Sequence, residues 1–164
     1  MRYQLIISYA VICITLIIIV GFPSHHIVNT GAITFKNMNA SKDAFTIKTQ
    51  SILPPNTRIF FTDTEWNGSH FGIDEHTLLW NSGKDSIPIG SIIHFKSLKS
   101  HTIPSIGHAK GILKIASKKE AIFAYQGTER MPTHFIAGIA YQLSDYGTLD
   151  HTGLIIDSTA VVLH

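Results

Sequence analysis

Past residue 31, hydrophobic positions come in short runs rich in Ile, Phe, Val and Thr, and turn-forming residues break each run after a few positions. In residues 44–48, Phe45 and Ile47 alternate with Thr46 and Lys48, the period-two pattern of a strand with one buried and one solvated face. The same reading predicts strands at residues 32–36, 44–49, 58–62, 77–80, 91–95, 111–116, 121–126, 135–140 and 160–163. Between them stand Pro54-Pro55-Asn56, Trp66-Asn67-Gly68, Asn81-Ser82-Gly83, Pro88-Ile89-Gly90 and Gly127-Thr128, which stop ladders by removing a donor or favouring positive φ. Many short strands without a long helical period imply an all-β fold, a sandwich or a barrel. Phe60 and Phe61 are adjacent, so in a strand they face opposite ways, and one of them needs a cover beyond the core of its own sheet.

The N-terminal part reads differently. Residues 5–22 are uncharged and mostly apolar, follow Arg2 and end at Pro23. No polar face appears at a helical period, so a buried helix of a soluble domain fits poorly. The run sits at the short end of the about 17–25 residues that cross a bilayer as a helix, and both a signal peptide and a retained anchor fit it. Isoleucines and Val20 continue to Gly21 without an A-x-A site, while Arg2 and Tyr3 suit an interfacial position, which favours the anchor. Cys13 lies within the apolar core and after Ala10, Val11 and Ile12, a poor lipidation context. The expected organisation is a signal peptide or hydrophobic anchor helix over 1–23, a spacer over 24–30 and one β domain over 31–164. The chain is then membrane-anchored facing outside the cytoplasm, or secreted, with residues 5–22 as its membrane contact.

Cys13 is the only cysteine, so the β domain has no thiol for a disulfide, for catalysis or for zinc. The formal charge is +2 with ten histidines taken as neutral, and the basic residues are dispersed, which gives little support to nucleic-acid binding.

The blocks Gly31-Ala-Ile-Thr-Phe, Asp43-Ala-Phe-Thr-Ile and Ile52-Leu-Pro-Pro-Asn-Thr-Arg-Ile-Phe-Phe-Thr-Asp63, then Glu65-Trp66-Asn67-Gly68, stand in that order. They are followed by Thr77-Leu-Leu-Trp80, Ile89-Gly-Ser-Ile-Ile93, Ala121-Ile-Phe-Ala-Tyr-Gln-Gly127 and Thr159-Ala-Val161. Over residues 31–163 this resembles a recurrent bacterial exported β domain of cell-surface, often multidomain proteins, distantly similar to the lamin-tail type of immunoglobulin-like sandwich. The resemblance implies an immunoglobulin-like β-sandwich. The chain departs from that pattern at Asp74-Glu75-His76 and Lys118-Lys119-Glu120, where the family carries Gly-Glu-Gly and Ser-Gly-Asp.

Candidate chemistry is acidic first. Asp63 and Glu65 follow one strand and Asp74, Glu75 and His76 precede the next, so two loops could supply oxygen ligands to calcium, which takes six to eight of them. The chain carries no twelve-residue calcium loop, and acidic residues beside turns are commonly just solvated. Histidines are plentiful, but no H-x-x-x-H or H-E-x-x-H pair falls in a predicted helix, and no G-x-S-x-G frames a serine. A metal-dependent or carboxylate-based hydrolase would require Asp63, Glu65, Glu75 and His76 to converge in a cleft. The other class is a binding module. Trp66, in a turn with Asn67 beside it, is the candidate contact for a protein or a glycan, against the alternative of an aromatic plug closing the sandwich end. A cell-surface binding or structural module is the expectation, with the hydrolase as the alternative.

Overall fold

The computed structural model describes residues 26–73 and 76–163. The apolar segment 5–22 expected to form a membrane helix lies outside the described residues, and among those described no helix is long and apolar enough to cross a membrane. The described residues form ten strands: β1 Ile33–Asn39, β2 Ala44–Thr49, β3 Arg58–Thr62, β4 Thr77–Asn81, β5 Ile92–Lys96, β6 Ile103–Pro104, β7 His108–Gly111, β8 Ala121–Gly127, β9 Pro132–Ala140 and β10 Ala160–Val162. They build a four-stranded sheet in the order β1-β2-β5-β6 and a six-stranded sheet in the order β10-β9-β8-β3-β4-β7. All pairings are antiparallel except β9 with β10, which run parallel with Ala160 opposite Gly138.

Alternation sorts the side chains into two cores. Phe45 and Ile47 of β2, Ile59 and Phe61 of β3, and Leu78 and Trp80 of β4 are among those facing the space between the sheets. There Phe45 stacks on Phe95 at 4.4 Å, while Phe61 and Trp80 meet Phe95 edge-on at 5.2 and 5.8 Å. Trp80 also donates its indole N–H to the Ile106 carbonyl at 2.9 Å. The outer face of β8, β9 and β10 in the six-stranded sheet is covered too, by loop residues between 63 and 73 and between 141 and 159. That second core explains why every residue of β8 up to Gln126 is buried: Ile122 and Ala124 face one core, and Ala121, Phe123 and Tyr125 the other. Phe60 points outward, half-buried, and stacks on Tyr125 at 5.5 Å, whereas Phe61 is fully buried between the sheets.

Three expectations need correcting. The strand expected at 111–116 is displaced: β7 ends at Gly111, and residues 112–116 are not in a ladder although Leu113 and Ile115 are buried. Their amides are met elsewhere, Leu113 N–H by the Leu98 carbonyl, Lys114 N–H by Asp63 and Ala116 N–H by Glu120. Alternating burial is therefore real there, but its cause is loop and side-chain partners rather than a neighbouring strand. The stretch 96–110, for which no strand is expected, contains β6 and β7, which border the two sheets. Gly107 joins them at φ +76°, where a Cβ would stand 2.1 Å from the Asn81 carbonyl, so only glycine fits.

Finally, residues 26–30 do not behave as a spacer. Val28 is buried and donates its N–H to Gln126 Oε1 at 2.9 Å, while Gln126 Nε2 donates to the carbonyls of His26 at 2.8 Å and Arg58 at 3.0 Å. Thr30 Oγ1 and Gly31 N–H donate to the carbonyls of Phe135 and Ile136, both at 2.8 Å.

Two buried tyrosines hold the outer layer. Tyr146 fits over Gly138, where a Cβ would lie 2.8 Å from its ring, and donates its hydroxyl to the Val161 carbonyl at 2.7 Å. The Tyr125 hydroxyl donates to the Glu129 carbonyl. Burial pushes both phenols well above their ordinary range. A raised phenol pKa favours the folded state fully below the unfolded value of about 10, and that contribution is lost as pH rises from there toward the folded value. Stability is thus expected to fall above about pH 10, by about 1.4 kcal/mol per pH unit for each tyrosine, and Tyr146→Phe should shallow that slope. Urea midpoints between pH 8 and 11.5 check this; an unchanged slope in Tyr146→Phe would refute it.

Candidate functional site

Beyond Thr62 the chain leaves β3 and turns across the outer face of the six-stranded sheet. Asp63 stands at this exit, 5% exposed, and both carboxylate oxygens are engaged. Oδ1 accepts the His76 N–H and Oδ2 the Lys114 N–H, each at 2.7 Å, and His76 Nδ1 lies 3.4 Å from Oδ2. The carboxylate thereby ties the end of β3 to the approach to β4 and to the segment after β7. Glu65, two residues on, is exposed. Asp74 and Glu75 lie outside the described residues. Of the expected constellation, Asp63 and His76 therefore meet, with the carboxylate committed to backbone amides. Among the described residues, no three His, Cys, Asp or Glu side chains come together to hold a metal.

Trp66 is not a projecting ring. It is 5% exposed and packs edge-on against Phe71 and Phe135, at 5.1 and 5.0 Å, with its indole N–H donated to the Asp150 carbonyl at 2.8 Å. The turn that carries it made exposure plausible from sequence, yet the outer face of β8 and β9 is aromatic and needs a cover, which Trp66 supplies. Its backbone joins the two covering loops: Trp66 N–H donates to the Tyr146 carbonyl, and its own carbonyl accepts the Thr148 N–H. Gly147 lies between them at φ +71°, where a Cβ would come within 2.5 Å of the Trp66 carbonyl. Asn67 is exposed, but its Oδ1 accepts the N–H groups of Ser69 and His70, both at 2.9 Å, and so shapes the turn.

Where the two loops meet, a cleft of about 470 Å³ opens to solvent. Glu65, Trp66, Asn67, Ile73, Gly147 and Thr148 are among the residues lining it, with 71% of the Ile73 surface exposed. Among the described residues, the lining combines a hydrogen-bonded aromatic wall, the exposed Glu65 carboxylate and an apolar rim. Among the described lining residues, Glu65 is the single titratable side chain. Neither Ile73 nor the second loop was singled out from sequence; an isoleucine in a Gly-rich turn between two aromatic-bearing segments was the available signal.

Compared with known proteins, the chain matches no family model, no curated protein and no solved structure.

Proposed function

We propose that this chain is an exported, membrane-tethered module that binds a protein or glycan at the cell surface, with an immunoglobulin-like sandwich of the bacterial exported type as its scaffold. The observation that carries the binding reading is the cleft at the junction of the two covering loops, with Glu65 and Ile73 on its rim and buried Trp66 as its wall. Residues 5–22 supply the tether. The ligand chemistry that fits is a cationic or hydrogen-bond-donating group beside an apolar one, set against Glu65 and Ile73.

The test uses the full chain. Cells producing it are fractionated, and intact cells are treated with protease; the domain is expected with the membranes and cleavable from outside. Purified protein is then incubated with cell-surface polysaccharide and cell-surface protein fractions. One fraction is expected to retain it, and Ile73→Asp to weaken retention about tenfold, equivalent to about 1.4 kcal/mol, without changing the melting temperature. Recovery in the cytosol, or retention indifferent to Ile73→Asp and Glu65→Lys, would overturn the reading.

A further inference from the structure

We infer that Gln126 locks the domain onto the phospholipid surface in one orientation, with the end of the six-stranded sheet that carries Ile27, Arg58 and the β8–β9 turn facing the headgroups. This rests on the tether proposed above.

The lock is built from backbone contacts. Gln126 is nearly fully buried, and its side-chain amide is spent on the incoming chain, accepting from Val28 N–H and donating to the His26 carbonyl, while also holding the Arg58 carbonyl of β3. The point where the chain enters the domain is therefore fixed on the sheet. Only residues 23–25 separate it from the apolar segment ending at Phe22. Four residue steps reach at most about 14 Å when extended. A bilayer of about 40–45 Å with a hydrocarbon core of about 30 Å has headgroup layers of about 5–8 Å on each side. The connection is too short to lift this end of the domain far above that layer, and the fixed entering segment limits its freedom to turn away.

The surface presented there suits headgroups. Ile27 is 78% exposed and Met131, in the β8–β9 turn, 71% exposed. Arg58 and half-buried Phe60 line two adjoining hollows, one shared with His26 and Ile27 and the other with Lys110 and Glu129. Among the described residues there, Arg58, Lys110 and, in the same turn, Arg130 outnumber Glu129, and exposed Ile27 and Met131 add apolar surface. Basic and apolar groups together are what an anionic phosphate layer over hydrocarbon attracts.

The test places one fluorophore at a time on the full chain carrying Cys13→Ser, through Ile27→Cys, Met131→Cys or, as a control on the opposite sheet, Ile103→Cys. Each protein is reconstituted into vesicles of phosphatidylcholine and phosphatidylglycerol with a headgroup-bound quencher. Quenching is expected to be at least about twofold stronger at 27 and 131 than at 103, because the quencher is confined to a layer of about 5–8 Å. A ten-residue Gly/Ser insertion after Pro23 should bring the three positions together. Equal quenching at all three in vesicle-bound protein would overturn the orientation while leaving the tether intact. Failure of the protein to float with the vesicles would overturn the tether and the orientation with it.

Discussion

Replacing Trp66 with alanine is expected to destabilise the domain by about 3–5 kcal/mol, the range found when large buried aromatic residues are truncated. The ring is nearly inaccessible, contacts Phe71 and Phe135 edge-on, and its N–H satisfies the Asp150 carbonyl. Truncation leaves a cavity over β8 and β9, removes two aromatic pairs worth about 0.5–1.5 kcal/mol each beyond their area, and strips a carbonyl of its donor. Trp66→Phe keeps the apolar fill but not the N–H, and should cost about 1–3 kcal/mol. Urea unfolding of the two variants beside the wild type measures both numbers. The substitution should also weaken ligand retention, because the cleft wall goes with the ring. If Trp66→Ala stayed within about 0.5 kcal/mol of wild type, the size typical of surface changes, the cover described here would be wrong.

The sheets were more legible than what lies over them. β2 and β3 fall where alternation placed them because one face of each meets a close-packed core, and a one-residue slip would turn Phe45 and Ile47, or Ile59 and Phe61, outward. The neighbouring pair Phe60 and Phe61 announced a second covered face. Which residues cover it was hidden, since Trp66, Phe71, Tyr146 and Leu154 lie in segments with no period at all, and only tertiary contact makes them core. The edges were hidden for a related reason. β6 and β7 are short, include Pro104 and are joined through Gly107, and form because β5 and β4 need partners.

Trp66 and Asn67, the contact candidates named from sequence, have structural duties in their turn. Both line the cleft, while its solvent-exposed side chains include Glu65 and Ile73. Gln126 was visible only as part of an Ala-Tyr-Gln-Gly block. A glutamine inside an apolar strand is costly unless its amide is satisfied, and its three backbone bonds to residues nearly 70 and 100 positions away could not be read from one segment.

The second large effect belongs to Asp63. Alanine there should cost about 3–5 kcal/mol: two backbone N–H groups, of His76 and Lys114, lose a charged acceptor at 2.7 Å, and such bonds contribute about 1.5–3 kcal/mol each. Asparagine is a sharper probe, because it keeps one oxygen but turns an N–H₂ toward a backbone donor, so it should recover less than half of the loss. The damage should be local before it is global. Amide hydrogen exchange at His76 and Lys114 is expected to accelerate in Asp63→Asn more than at Phe61 in the same sheet, since the brace joins segments that the β3–β4 and β3–β8 ladders do not. The same variants decide between a brace and a calcium ligand. A carboxylate with both oxygens held by amides has little to offer a cation, so millimolar calcium should leave the wild-type melting temperature where it is. A rise that disappears in Asp63→Ala would show that the cation competes successfully for those oxygens, and the acidic turns would then be a binding site rather than a structural joint.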